Sequence, residues 1–168
     1  MATYGQDGVP DPQEQVRELQ TGLFNQDFTD FLKCLHDAEV ESMLVGGYAV
    51  VLHGYPRTTG DMDVWVRPTP ENHKKLIRAF AEFGLPTDVI TLDDFLTPDE
   101  QDVFTFGRPP VALDILTHVK GLEFDDAFAN AESLMFEGSV VRLIHVDDLK
   151  QAKRSAGRYK DLNDLENL

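Results

Sequence analysis

Cysteine and basic residues are scarce in this chain of 168 residues. The single cysteine, Cys34, excludes a disulfide within the chain, and without a cluster of Cys and His we expect no structural zinc site. No apolar run approaches the length of a transmembrane helix, and no basic-then-apolar signal opens the sequence. We therefore expect a cytoplasmic protein that makes no contact with a membrane.

The charge balance is strongly acidic. Thirty Asp and Glu against fifteen Lys and Arg give a formal net charge of −15. This balance argues against a broad nucleic-acid surface, because binding the phosphate backbone depends on Lys and Arg. A salt-adapted source organism explains it equally well, because an acid-rich, lysine-poor surface keeps a protein in solution. The sequence leaves both explanations open.

An alternation of acids with apolar residues lies in the run Asp61-Met62-Asp63-Val64-Trp65-Val66. It predicts a strand with Met62, Val64 and Val66 on one face and both acids on the other. Side chains two apart on a strand sit roughly 7 Å apart at the backbone and can converge on metal ions. Hard carboxylate oxygens suit Mg²⁺ or Mn²⁺, so Asp61 and Asp63 are candidate metal ligands.

Two further features strengthen this interpretation. Gly46-Gly47 closes the apolar run Met43-Leu44-Val45 and opens a segment, 48–53, predicted as a strand, a turn and a helix start. Backbone N–H groups there can meet phosphate oxygens. Asp114 lies inside the apolar run 111–116, where a buried acid costs several kcal/mol unless it is paired or metal-bound. Each feature alone is common in structural turns and strands, but together they predict a site.

Five of the fifteen basic residues fall within positions 150–160. If Asp147 caps a helix, Lys150, Arg154 and Arg158 line one face of it, with Lys153 beside them. One interpretation is a solvated helix end that pairs with Asp161 and Asp164. The other is a cationic clamp that holds the β and γ phosphates of a nucleotide opposite the carboxylates.

These motifs resemble the minimal nucleotidyltransferases of the DNA polymerase β-like superfamily, whose signature is an apolar residue, Gly-Gly or Gly-Ser, a spacer and then Asp-x-Asp. Arg57-x-Thr59-x-Asp61-x-Asp63 and the segment 153–161 also resemble a narrower bacterial group related to the toxins of AbiE-type toxin–antitoxin systems. The resemblance extends roughly over residues 28–168.

The resemblance implies a mixed α/β nucleotidyltransferase fold, with a central twisted mixed sheet flanked by helices. It also implies transfer of a nucleoside monophosphate from an NTP to an acceptor hydroxyl, with release of pyrophosphate. Asp61, Asp63 and Asp114 would hold Mg²⁺ or Mn²⁺, and Asp114 would also accept the proton of the acceptor.

The nucleotide contacts and partners follow from the same resemblance. Gly46 and Gly47 would position phosphate, Arg57 and Thr59 would fix the strand approach or touch the triphosphate, and Lys153 and Arg158 would form the clamp. The acceptor could be an RNA end, a protein hydroxyl or a small molecule. A cognate regulator protein is an expected partner.

Two other functions remain open. One is a non-catalytic module that binds nucleotide and regulates a complex such as a toxin–antitoxin pair. The other, a metal-dependent glycosyltransferase that uses Asp-x-Asp, is weaker because it explains neither Gly-Gly at this spacing nor Asp114.

The predicted organisation is a flexible tail over residues 1–20 followed by one domain over 21–168. Apolar residues at helical spacing over 24–35 predict a first helix, and Thr69-Pro70 starts another that ends at Gly84. A short helix is expected over 91–96, with two strands, 103–106 and 111–116, around the turn 107–110. A helix over 124–131, a strand over 140–145, the basic helix and a last helix to Leu165 complete the pattern.

Overall fold

The computed structural model describes residues 17–18, 25–97, 102–108 and 111–168. Seven helices lie in these ranges: α1 (Gln26–Asp37), α2 (Gly46–Leu52), α3 (Pro70–Phe83), α4 (Leu92–Leu96), α5 (Phe124–Asn130), α6 (Val146–Ala156) and α7 (Tyr159–Asn167). The strands are β1 (Arg17–Glu18), β2 (Ser42–Val45), β3 (Asp61–Val66), β4 (Val103–Arg108), β5 (Val111–Leu116), β6 (Glu132–Phe136) and β7 (Ser139–Leu143).

The strands form one mixed sheet in the order β1-β6-β7-β2-β3-β5-β4. Strands β2 and β3 are antiparallel, β3 and β5 are parallel, and β4 returns antiparallel on the outer side of β5. The helices lie against this sheet. The expected mixed α/β fold with a central sheet is confirmed.

Alternation along β3 divides its side chains between the two sheet faces. Met62, Val64 and Val66 are almost completely buried on the face that packs against α1 and α3, as predicted. Phe80 of α3 contacts Phe106 of β4 on this same side. Burying a large apolar side chain contributes about 1.5–3 kcal/mol, so this layer supplies much of the stability of the domain.

The opposite face of β3 carries Asp61, Asp63 and Trp65, because these residues alternate with the buried set. The Trp65 ring is buried and meets Phe124 of α5 edge to face, with ring centroids 5.2 Å apart. Trp65 thus closes one end of this face, and the two acids remain at the other end.

The helix starting at Pro70 forms as the sequence predicts. The Thr69 hydroxyl accepts a hydrogen bond from the backbone N–H of Asn72 at 3.2 Å, and Gly84 ends the helix with a left-handed φ of +98°. The first helix, the short helix α4, the hairpin β4–β5, the helix α5 and the last helix are also confirmed.

Two local predictions near the site are wrong. Segment 48–53 contains no strand, because α2 begins at Gly46 itself and ends at Leu52. Asp147 does not cap α6, since the ring nitrogen Nδ1 of His145 accepts the hydrogen bond from the backbone N–H of Asp147 at 3.1 Å.

The basic helix is also shorter than predicted. Gly157 adopts a left-handed φ of +65° and ends α6, so Arg158 is the N-cap residue of the next helix, α7. Arg158 therefore does not share a helix face with Lys150 and Arg154.

The prediction also omitted two strands, β1 and β6. Strand β1 falls within the predicted tail, where Arg17 and Glu18 pair in parallel with Leu134 and Met135 of β6. The rest of that tail, residues 1–16 and 19–20, lies outside the described residues, as do Pro109 and Pro110 of the predicted turn. Among the helices described, none is long and apolar enough to cross a membrane.

Candidate active site

The register of the sheet brings the three predicted acids onto one face. Asp63 of β3 pairs directly with Asp114 of β5, and Asp61 pairs with Ala112. Residues opposite one another on neighbouring strands point to the same side of a sheet. Asp61, Asp63 and Asp114 therefore point to the same face of the sheet, at the end of that face away from Trp65.

Asp63 and Asp114 are in direct contact. Burial, a hydrogen bond with Asp114 and the charges of Asp114 and Asp61 raise the pKa of Asp63 to about 7, although Lys160 opposes the shift. The raised pKa means that the Asp63 carboxyl group is partly protonated near neutral pH. Thr105 fixes Asp114 from the other side, because its hydroxyl donates to Oδ1 at 2.7 Å.

Asp61 is exposed at the start of β3. Its charge reaches Tyr48 on α2, whose pKa is raised first by burial and then by Asp61. As the side chains stand, no three acidic, His or Cys residues in the described ranges form a group that could hold a metal ion. The contact of Asp63 with Asp114 supplies two hard oxygen donors of the kind that Mg²⁺ and Mn²⁺ prefer, and Asp61 lies on the same face.

Gly46 and Gly47 begin α2, where its backbone passes close to β3 and to the residues that precede β3. Gly46 has a φ of +66°, and a Cβ added there would overlap the Asp63 carboxylate. A Cβ on Gly47 would overlap the Thr59 hydroxyl and lie 3.3 Å from an Arg57 Nη2 atom. Only glycine at both positions leaves room for these contacts, and the pair therefore places Asp63, Thr59 and Arg57 along one side of α2.

The cations that were predicted to contact the nucleotide form ion pairs with carboxylates of α7. Lys153 is buried, with its ammonium 3.2 Å from Asp161 Oδ1 and 3.0 Å from Asp164 Oδ2. Arg57 Nε lies 2.8 Å from Asp164 Oδ1, and Arg57 Nη2 donates to Oδ2 at 3.0 Å. Arg158 Nε donates to Asp161 Oδ2 at 2.7 Å. We call these five residues the ion network.

The ion network holds two fully buried carboxylates and three cations, which leaves one net positive charge. Burial alone would raise the pKa of Asp161, but hydrogen bonds from Arg158 and Lys153 outweigh it and hold the pKa below its ordinary value. Arg158 keeps its side chain 61% exposed, whereas that of Lys153 is only 8% exposed. Of the two clamp residues, Arg158 is therefore the one that solvent and ligands can reach.

Lys160 is a second reachable cation. It lies one helical turn before Asp164 on α7, is exposed, and opposes the raised pKa of Asp63 through its charge. Lys160 belongs to the basic cluster over 150–160, but no sequence pattern predicts its effect on Asp63. Thr105 was not predicted either, because the predicted turn 107–110 places residue 105 opposite Ala112. Strand β4 instead continues to Arg108, and this register pairs Thr105 with Asp114.

A pocket of about 210 Å³ opens beside Asp63, between the sheet and α6. Its polar end includes Gly46, Asp63 and Arg158. Eight of the other lining residues are apolar: Val45, Val103, Leu116, Val119, Ile144, Leu149, Ala152 and Ala156. The charged or titratable residues Asp102, His118, Lys120, Lys153 and Asp161 also line it. Asp63 thus borders a space that is large enough for a ring system.

Comparisons with known proteins bear on the fold. The sequence matches no family model, and no curated protein is significantly similar to it. Among solved structures, the chain is similar to a Thermotoga maritima protein described as a "putative nucleotidyltransferase", with a TM-score of 0.55 and 13% identity. The match covers 89% of this chain and 94% of that one. The chain therefore has a nucleotidyltransferase-like fold.

Proposed function

We propose that this chain is a metal-dependent nucleotidyltransferase that transfers a nucleoside monophosphate from an NTP to an acceptor hydroxyl and releases pyrophosphate. The observation that carries the proposal is the contact of Asp63 with Asp114 across β3 and β5, with Asp61 on the same face. Two carboxyl groups held together at half-buried positions make a costly arrangement, which a divalent cation would relieve. The nucleotidyltransferase-like fold supports the same activity.

The metal ligands in this proposal are Asp61, Asp63 and Asp114. Asp63 would have to lose its proton to hold Mg²⁺ or Mn²⁺, because a carboxyl group must ionise to coordinate a cation. The ion, when bound, supplies charge neutralisation for the triphosphate and polarises the reacting oxygens.

The protein groups then act on the acceptor and the phosphates. Asp114 accepts the proton of the acceptor hydroxyl, directly or through water. The acceptor oxygen forms a bond to the α phosphorus while the bond from that phosphorus to the bridging oxygen breaks, and pyrophosphate leaves. Gly46 and Gly47 let the backbone of α2 approach the phosphates.

The cations divide into two roles. Arg158 lines the pocket, Lys160 is exposed and acts on Asp63 through its charge, and both bind the β and γ phosphates. Arg57 and Lys153 are committed to Asp164 and Asp161, and they hold the start of α7 in place so that Arg158 and Lys160 face the acids. Thr59 lies against Gly47 and fixes the position of the residues that precede β3.

The test is transfer of α-labelled ATP, GTP, CTP and UTP, one at a time with Mg²⁺ or Mn²⁺, into RNA, protein and small-molecule fractions. Wild type should label one fraction, and Asp63→Asn and Asp114→Asn should each lose the label. The matched control is Asp88→Asn, which removes an exposed acid from the loop between α3 and α4 and should keep the wild-type rate. A full rate for Asp63→Asn would refute the metal assignment.

A second function is a non-catalytic module that binds nucleotide and regulates a complex. The observation that favours it is the neutralisation of Arg57 and Lys153 within the ion network, which leaves fewer cations for a triphosphate. Metal-dependent NTP binding without label in any fraction would support this module over the enzyme.

The narrower relationship to AbiE-type systems rests on Arg57-x-Thr59-x-Asp61-x-Asp63 and on the segment 153–161. The two motifs are in contact, since Arg57 and Lys153 bind the same carboxylate, Asp164. A cognate regulator protein would then be the partner. Co-expression with the product of the neighbouring gene, followed by purification through a tag on this chain, tests it: a stoichiometric complex supports the pairing, and separate elution opposes it.

A further inference from the structure

The pocket beside Asp63 has a composition that metal and phosphate binding do not explain. Eight of its sixteen lining residues are apolar, and two of these, Ala152 and Ala156, are small residues one helical turn apart on α6. Phosphates bind to cations and N–H groups and gain nothing from apolar walls. The exposed wall of the pocket is mostly apolar although charged residues also line it. Such a combination of apolar wall and polar groups is typical of a site for a ring-containing ligand.

The size of the pocket favours two rings over one. An apolar cavity of about 150 Å³ holds a single benzene ring. The pocket has about 210 Å³ and is open to solvent at its mouth. A purine therefore fills it better than a pyrimidine, and the ribose and phosphates would extend through the mouth toward Asp63 and Arg158.

We propose that the purine base of the nucleoside triphosphate binds in this pocket, between Leu116 of β5 and the face of α6 that carries Ala152 and Ala156. The inference rests on the proposed nucleotidyltransferase function and adds to it the location and class of the base. Ala152 and Ala156 determine base specificity, because any larger side chain there occupies the space of the ring.

The test fills the pocket without changing charge. Ala156→Leu is the first variant, since Ala156 is exposed and lines the pocket, and Ala152→Leu is the second at a deeper position. Ala81→Leu on the exposed side of α3 is the matched control. Calorimetric titration with each of the four NTPs, in the presence of Mn²⁺, gives the dissociation constants, and thermal unfolding verifies that each variant folds.

We expect wild type to bind ATP and GTP more tightly than CTP and UTP. Both pocket variants should weaken purine nucleotide binding by at least about tenfold, the scale of a mismatch in an apolar pocket. Inorganic tripolyphosphate should bind all variants equally, because it has no base. Ala81→Leu should match wild type throughout.

Other results would overturn the inference in distinguishable ways. Equal NTP affinity in wild type and in a folded Ala156→Leu variant would place the base elsewhere while leaving the proposed function intact. If the variants instead raised KM for the acceptor alone, the pocket would belong to the acceptor. Loss of tripolyphosphate binding together with NTP binding would show damage to the phosphate site and refute a base-specific role. No metal-dependent binding of any NTP to wild type would refute the proposed function itself.

Discussion

Asp63 and Asp114 lie directly opposite one another on the parallel strands β3 and β5, and their carboxyl groups share a hydrogen bond. Neighbouring carboxylates repel, and here the protein holds them together on a half-buried face. A proton on Asp63 and a divalent cation would therefore compete for the same oxygens.

We predict that metal affinity rises with pH. The pKa of Asp63 is about 7, so below that value metal binding must displace a proton, whereas above it the carboxylate is already ionised. Titration of Mg²⁺ between pH 6 and 8 should show tighter binding at the higher pH and release of a proton at the lower one. Calorimetry in two buffers of different ionisation enthalpy measures that proton. Affinity independent of pH would contradict the assignment of Asp63 as a ligand.

Asp63 should also make stability depend on pH in the absence of metal. Its folded-state pKa is raised from 3.8 to about 7, so between these values the folded state binds the proton more tightly than the unfolded state. The resulting stabilisation is full below pH 3.8 and is lost as pH rises through 7. Asp63→Asn removes this dependence, and at pH 8 we expect the variant to be more stable than wild type by about 1–3 kcal/mol. Urea unfolding at pH 5 and 8 gives the difference, which should vanish toward acid pH.

The ion network should make Lys153 important for folding. Lys153→Met leaves Asp161 and Asp164 short of a buried cation, and breaking a buried pair costs about 3–5 kcal/mol. Lys150→Met, on the same helix and outside the ion network, is the control and should cost well under 1 kcal/mol by the usual scale for surface positions. Chemical denaturation of both variants checks this, and a Lys153→Met variant as stable as wild type would show that the pairs contribute little.

Lys160 should affect nucleotide binding without affecting folding. Lys160→Met removes an exposed charge that acts on Asp63, so we expect KM for the NTP to rise about fivefold, the scale of a single exposed ion pair. The melting temperature should not change. Lys74→Met on α3 removes an equally exposed charge far from α7 in sequence and should leave KM at the wild-type value. If both substitutions raised KM for the NTP equally, Lys160 would act only through the net charge of the protein.

Gly46 should not tolerate a side chain. Gly46→Ala places a methyl group into the Asp63 carboxylate in addition to the strain at a φ of +66°. We expect transfer to fall by more than about a hundredfold, since a displacement of about 1 Å in a catalytic site can have that effect. Gly138→Ala separates the two causes, because Gly138 has a φ of +83° but nothing within 4 Å of an added Cβ. It should lose about 1 kcal/mol of stability and keep its activity.

The sequence predicts the parts of this fold that short-range patterns determine. The alternation over 61–66 identifies β3, and Thr69-Pro70 together with Gly84 marks both ends of α3. Strand β6 escaped prediction because Glu132–Phe136 follows α5 directly and has no turn signal before it. The break at Gly157 was also missed, since basic residues at helical spacing continue through it and only the left-handed φ ends the helix.

The sequence predicts those site residues that are recognised by residue type and spacing. It does not predict contacts between residues that are far apart in the chain. The acids Asp61, Asp63 and Asp114 meet because of strand order, which the motifs themselves suggest. Pairing of the basic cluster with Asp161 and Asp164 is one of the two interpretations that the sequence offers, and Lys153 makes both contacts. The contact of Arg57 with Asp164 depends on how α7 folds back onto the domain, and no local pattern encodes it.

The hydrogen bond from Arg57 to Asp164 joins residues 107 positions apart in the chain. During synthesis, the approach to β3 leaves the ribosome long before α7 exists, and until then Arg57 has no buried partner. Contacts between such distant residues form late in folding, because the long loop between them must close first. The nascent chain would therefore carry all three acids before the ion network is complete, so the proposed nucleotidyltransferase activity would begin only when the whole domain has been made.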